Sequence, residues 1–133
     1  FEAKLASNPE ELKTILTSPV ESGLDYLHSS MRRFWESEFT GSKENLAYWT
    51  KKIKKIPTIG VGSVGLDSDF IDMTAPATPT SIDKAIDDIT NDKYDLIAVG
   101  RALLSDHEWV LKMKDGRVND VIPYTKDALL NLY

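Results

Sequence analysis

The stretch Tyr94-Asp95-Leu96-Ile97-Ala98-Val99-Gly100 restricts the fold more than any other part of the chain. It is nearly continuous in apolar residues, the pattern of a strand covered on both faces. Such strands occur almost only in parallel sheets flanked by helices. Two earlier segments read as strands as well, Leu24 to Ser29 and Pro57 to Val61. What separates the three is helical in spacing, and this alternation predicts βαβ units on a parallel sheet, an α/β fold.

The helices are marked by their ends. Ser7-Asn8-Pro9-Glu10-Glu11 supplies a cap, a proline for the first helical position and acids for the positive end of the dipole. Leu12, Ile15 and Leu16 share a face there, and Ser18-Pro19 is expected to interrupt the helix. The stretch from Ser29 to Asn45 has no clean period and reads as loop. Asn45 to Lys55 is helical on Leu46, Trp49 and Ile53; the lysines of its last turn read as a solvated, dipole-favoured end. Thr74 to Thr80 reads as loop. From Ser81 a helix follows with Ile82, Ala85, Ile86 and Ile89 on one face and Asp83, Asp87 and Asp88 on the solvated one. Ser105-Asp106-His107-Glu108 reads as a capping box before a helix with Trp109 and Met113 inward, closed by Gly116. Thr125 to Tyr133 is expected to form a last short helix.

Composition narrows the function. The 133 residues carry a net charge of -5, which argues against nucleic acid or an anionic membrane as the main partner. No run approaches the roughly 18 apolar residues of a membrane span. The chain has no cysteine, hence no disulfide framework and no thiolate metal site, in keeping with a cytoplasmic protein. No signal peptide is visible, and the start at Phe1 rather than Met suggests a processed product or a piece of a longer protein.

Gly60-Val61-Gly62-Ser63-Val64-Gly65 fits the pattern G-x-G-x-x-G. A dinucleotide fold needs a strand before these glycines, a helix opening on the third, and an acid at the end of the next strand. Only the strand is present: Leu66 to Phe70 is mixed, and the next strand ends in Gly100-Arg101. An NAD(P)-binding Rossmann domain is therefore the minor alternative. Two consecutive parallel strands each ending in a glycine turn suit another scaffold. In (β/α)8 barrels the loops after the seventh and eighth strands commonly form a phosphate site beside a short extra helix. Gly62 and Gly100 would let backbone N–H groups approach phosphate oxygens, and Arg101 would add a permanent forked charge. Ala102-Leu103-Leu104 would form the short helix. The competing reading is that these glycines merely permit tight turns.

The segments "DYLHSSMRRFWE", "PTIGVGSVG" and above all "YDLIAVGRALLSDHEWVLKMKDGR" resemble the C-terminal part of the old yellow enzyme family, the NADH:flavin oxidoreductases and ene-reductases. The resemblance runs from about Leu24 to Tyr133. It implies that residues 1–133 are a partial TIM-barrel domain holding strands six to eight of a (β/α)8 barrel. It implies FMN as cofactor, its phosphate held at Gly62, Ser63, Gly100 and Arg101, with NAD(P)H as reductant and an activated C=C as acceptor. Phe34 or Trp35 would line the substrate pocket.

A barrel of this kind needs roughly 250 residues, so strands one to five and the groups they would bring are outside this chain. No catalytic residue and no metal ligand is expected within it. His107 reads as structural; His28, after a strand, reads either as a residue facing the site or, more readily, as a hydrogen-bonded structural one. The cut sheet would leave Ile59, Val61, Ala98 and Val99 uncovered, so the chain is expected to pair with its missing N-terminal part or to associate with itself. The alternative function is a non-catalytic phosphate-ligand or protein-interaction module.

Overall fold

A computed structural model describes residues 4–68, 70–71 and 75–130. Three parallel strands, β1 (Leu27–Ser30), β2 (Thr58–Val61) and β3 (Leu96–Ala98), form one sheet in the order β1-β2-β3. Helix α1 (Pro9–Glu21) precedes β1, α2 (Leu46–Lys54) joins β1 to β2, and α3 (Asp83–Thr90) joins β2 to β3. Two short helices follow, α4 (Arg101–Ser105) and α5 (Trp109–Lys114). The alternation expected from the sequence is present, in an α/β arrangement.

Local chemistry accounts for the helix boundaries. The Asn8 side chain accepts from the Glu11 N–H at 3.0 Å, and the Ser7 N–H donates to the Glu11 carboxylate at 2.8 Å, a reciprocal cap. Helix α1 does not stop at Ser18-Pro19 but runs on to Glu21. Pro19 lies in the last turn, where it removes a single ladder bond, and Ser22 closes the end by donating N–H and hydroxyl to the Ser18 carbonyl. Asn45 caps α2 by accepting from the Tyr48 N–H at 2.9 Å; its amide donates to the Phe34 carbonyl at 2.7 Å, which fastens the preceding loop to the helix. The lysine-rich end of α2 is tied down more than expected. Lys51 bonds Asp92 and Asp95, and Lys54 donates to the Thr17 hydroxyl.

The register fixes which side chains share a face of the sheet. Leu27 pairs with Thr58, and Ser29 with Gly60 and, through Gly60, with Ile97. This face carries the helices. A Cβ on Gly60 would meet the Ala47 Cβ at 3.2 Å, and the Ser29 hydroxyl donates to Thr50 of α2 at 3.1 Å. The opposite face holds the rows His28-Ile59-Leu96 and Ser30-Val61-Ala98. Among the described residues it is open, with Leu96 60% exposed. The apolar run Tyr94–Gly100 is thus covered on one face, not two. Ile59, Val61 and Ala98 lie on the open face as expected, whereas Val99 alternates to the helical side and packs on the core.

Two apolar clusters hold the layers. Leu12, Leu16 and Phe39 pack with Trp49 and Ile53 between α1 and α2. Phe34, Val64, Leu66, Ala77, Trp109 and Tyr124 gather below the ends of the strands. Ile15 and Ile86 are exposed rather than core-facing. Asp88, expected on the solvated face of α3, is buried against Lys84, Lys93 and the Tyr94 hydroxyl. The last helix is a 3-10 turn, Lys126–Leu129; positions 131–133 of the expected helix, and Thr74 of the Thr/Pro loop, lie outside the described residues.

Candidate functional site

The three loops that leave the C-terminal ends of the strands meet. The loop after β1 rides on the tip of β2. The Met31 N–H donates to the Val61 carbonyl at 2.8 Å, the Phe34 N–H to the Gly62 carbonyl at 3.0 Å, and the Ser63 hydroxyl to the Arg32 carbonyl at 3.0 Å. The tip of β3 then reaches the same point. Arg101 Nη2 donates to Ser63 Oγ at 3.2 Å and to the Ser68 carbonyl at 2.6 Å. The guanidinium also lies over the Tyr124 ring at 5.4 Å, which braces it from below. A cavity of about 170 Å³ opens here, lined by Gly62, Ser63, Gly100 and Arg101 together with Arg32 and Phe70. All four residues assigned to a phosphate from the sequence therefore border one cavity.

The glycines of this region differ in what they are for. A Cβ on Gly62 would sit 2.6 Å from the Met31 carbonyl oxygen, so the close approach of two backbones excludes any side chain there. Gly65 has φ +72°, and a Cβ on it would strike the Trp109 ring at 2.7 Å. These two glycines serve packing. At Gly100 a Cβ would meet nothing within 4 Å. No described protein atom explains the missing side chain at Gly100, which opens on the cavity. No helix begins at Gly65; the next one along the described chain is α3 at Asp83. Among the described residues, the helix that a Rossmann turn needs directly after Gly65 is absent.

The other predicted residues lie elsewhere. Phe34 is 3% exposed, a core side chain packed edge-on against Trp35 at 5.3 Å, and neither borders the Ser63–Arg101 cavity. His28 is a residue of β1 rather than one following a strand, and it faces outward on the open side of the sheet. His107 is exposed between α4 and α5. Among the described residues, no cluster of His, Asp and Glu could hold a metal ion.

Behind the cavity, Asp106 fixes the segment that carries Arg101. The Ser105–Glu108 capping box does not form, because Ser105 ends α4. Asp106 takes its place and accepts from the Glu108 N–H at 3.0 Å, from Lys112 Nζ at 2.7 Å and from the Ile122 N–H at 2.9 Å. Asp106 is 1% exposed. Burial alone would raise its pKa, but these three donors outweigh it, so the carboxyl sits below its ordinary value. The sequence had marked this residue only as part of a cap. Its longer-range role depends on the fold bringing Ile122 back to it.

No family model matches the chain. The chain is similar to a protein described as an NADH oxidase from Thermoanaerobacter brockii, with 33% identity over 120 residues. The match takes in 84% of this chain and 16% of the relative, so the chain corresponds to a minor part of that protein's length. Among the described residues, no helix is long and apolar enough to cross a membrane.

Proposed function

We propose that this chain is the phosphate-holding end of an FMN-dependent NAD(P)H oxidoreductase of the old yellow enzyme type. The observation that carries the reading is the meeting of Ser63 and Arg101, at 3.2 Å, beyond adjacent parallel strand ends. The similarity to an NADH oxidase supports an oxidoreductase role.

The residues present fit a phosphate. The cavity of about 170 Å³ is smaller than the roughly 300–1,000 Å³ of pockets that enclose a whole ligand, a size suited to one charged end of it. Gly100 leaves space that no described side chain fills. Arg101 offers a fork of fixed charge, and the Ser63 hydroxyl, whose one proton goes to the Arg32 carbonyl, accepts from Arg101 and positions it. When bound, FMN would supply the hydride chemistry between NAD(P)H and an activated alkene. The part of this chain is to bind and orient: Arg101 and the backbone at Ser63 hold the phosphate, and Asp106 holds the helix that presents Arg101.

The open sheet face supports the companion proposal that the sheet is completed by further strands of the same polypeptide or, in the isolated chain, by a second copy. A row such as His28-Ile59-Leu96 left in water is what a sheet cut from a closed barrel would show. The test is FMN retention by the full-length oxidoreductase carrying Arg101→Ala. Weaker retention with unchanged folding supports the reading, and unchanged affinity overturns it.

A further inference from the structure

We infer that Tyr124 is a positioning residue of the phosphate site proposed above. Its ring sets where the guanidinium of Arg101 stands, and so raises affinity for the phosphate end of a flavin that it does not itself touch. The inference rests on the FMN reading.

The cation and the ring meet. The Arg101 guanidinium carbon lies over the Tyr124 ring, 5.4 Å from its centre, within the reach of a cation–π contact. Arg101 borders the cavity of about 170 Å³, and Tyr124 is not among the described residues that do. The ring is also held in place. Tyr124 is 5% exposed, and its backbone pairs with Ala77 in both directions: the Ala77 N–H donates at 2.9 Å and the Tyr124 N–H at 3.1 Å. Finally, the two partners are fastened to each other. Arg101 opens α4, and Asp106, directly after α4, accepts from the Ile122 N–H at 2.9 Å, two residues before Tyr124. One buried carboxylate thus ties the helix that starts at Arg101 to the segment that carries Tyr124.

A ring suits this place for a physical reason. The Ser63 hydroxyl, the Ser68 carbonyl and the Tyr124 ring are among the partners of Arg101. The two oxygens fix Nη2, one corner of the guanidinium; the ring acts on the group as a whole. A carboxylate in the ring's position would offset the positive charge that a phosphate is to meet. The quadrupole of a ring attracts the guanidinium and leaves its formal charge in place. Tyr124 therefore favours one placement of Arg101 without neutralising it. Less side-chain freedom is then lost when an anion binds, and the difference appears as affinity. An aliphatic side chain of similar volume would fill the same core space but exert no such pull. Riboflavin, which lacks the phosphate, would not sense the change.

The test uses the full-length oxidoreductase, stripped of flavin and titrated with FMN and with riboflavin by fluorescence quenching, below the melting temperature of each variant. Tyr124→Phe keeps the ring and should bind FMN as the unsubstituted protein does. Tyr124→Leu should weaken FMN by about 2- to 30-fold, the worth of a guanidinium–ring contact, and leave riboflavin affinity unchanged. In an Arg101→Ala background the same Tyr124→Leu step should make no further difference to FMN, since the residue it acts through is gone. Should Tyr124→Leu fail to fold, successive fluorination of the ring in the Tyr124→Phe protein keeps the packing and thins the negative face, and FMN affinity should fall along the series. FMN affinity that ignores Tyr124→Leu or the fluorinated series would overturn this inference and leave the flavin reading intact. So would equal losses for FMN and riboflavin, or a Tyr124→Leu loss of the same size with and without Arg101, because those are the marks of packing alone. Failure of the unsubstituted protein to bind FMN would instead overturn that reading, and this one with it.

Discussion

The guanidinium of Arg101 donates to the hydroxyl of Ser63 at 3.2 Å, although 38 positions separate them in the chain. Parallel pairing of β2 with β3, Val61 opposite Ala98, puts both tips at the same end of the sheet and makes this contact possible. Everything proposed about a ligand depends on that proximity.

The contrast between Gly62 and Gly100 separates packing from binding. Gly62→Ala should destabilise the protein by about 1–3 kcal/mol, since the new Cβ would press on the Met31 backbone. Gly100→Ala should weaken FMN binding in the full-length protein, because the new Cβ would project toward the cavity, where no described atom lies within 4 Å of it. Thermal melts and flavin titrations of the two variants check both halves. A stable Gly62→Ala variant would contradict the packing account.

Gly65 should tolerate alanine no better. The substitution meets the Trp109 ring and imposes a side chain on a residue with φ +72°, at a cost of about 1–2 kcal/mol for the backbone alone. Gly65→Ala should therefore melt at lower temperature. Shortening the ring with Trp109→Leu should relieve the clash, so the double variant should lose less than the sum of the single losses.

Asp106 sets a pH dependence. Its pKa is below the ordinary carboxyl value in the folded chain, so its contribution to stability is complete above the unfolded pKa, about 3.9, and is lost as pH falls through the folded value. Asp106→Ala should cost up to about 3–5 kcal/mol, because buried Lys112 loses the nearer of its two carboxylates and keeps only the exposed Glu108 at 3.7 Å. Denaturant melts at a series of pH values should show the native protein losing stability below about pH 4. Asp106→Asn should be less stable at neutral pH and flatter across that acid range.

The open face predicts association of the isolated chain. Leu96 is 60% exposed at the edge strand β3, beside Ile59 on the same row. An apolar sheet with free edges recruits a partner. Light scattering of the 133-residue chain should report species larger than a monomer, and Leu96→Lys should shift them toward monomer. A monomer with cooperative unfolding would contradict the proposal.

Much of this was legible in the sequence, for physical reasons. Apolar runs ending in glycine located β2 and β3, and Asn8 and Gly116 marked helix ends through local capping chemistry. That Gly62, Ser63, Gly100 and Arg101 lie near one another was legible because each tip follows its strand directly. What depends on contacts distant in sequence was not legible. Asp88 looks like a surface acid until Lys93 and Tyr94 close over it. Phe34 looks like a rim residue until the Met31–Phe34 loop folds down onto β2 and drives the ring into the core. Pro19 looks like a stop until the Ser18 carbonyl finds two donors on Ser22. Arg32 carries no local mark at all; only the hydroxyl of Ser63, 31 residues away, places its backbone at the cavity.

The most direct test of the central claim is the affinity of the full-length oxidoreductase for FMN with and without Arg101. The account predicts that Arg101→Ala weakens FMN by about 10- to 100-fold, as expected when a charge-assisted hydrogen bond is lost, while riboflavin binds as before. An Arg101→Ala protein that folds and holds FMN as tightly as the unsubstituted one would contradict it.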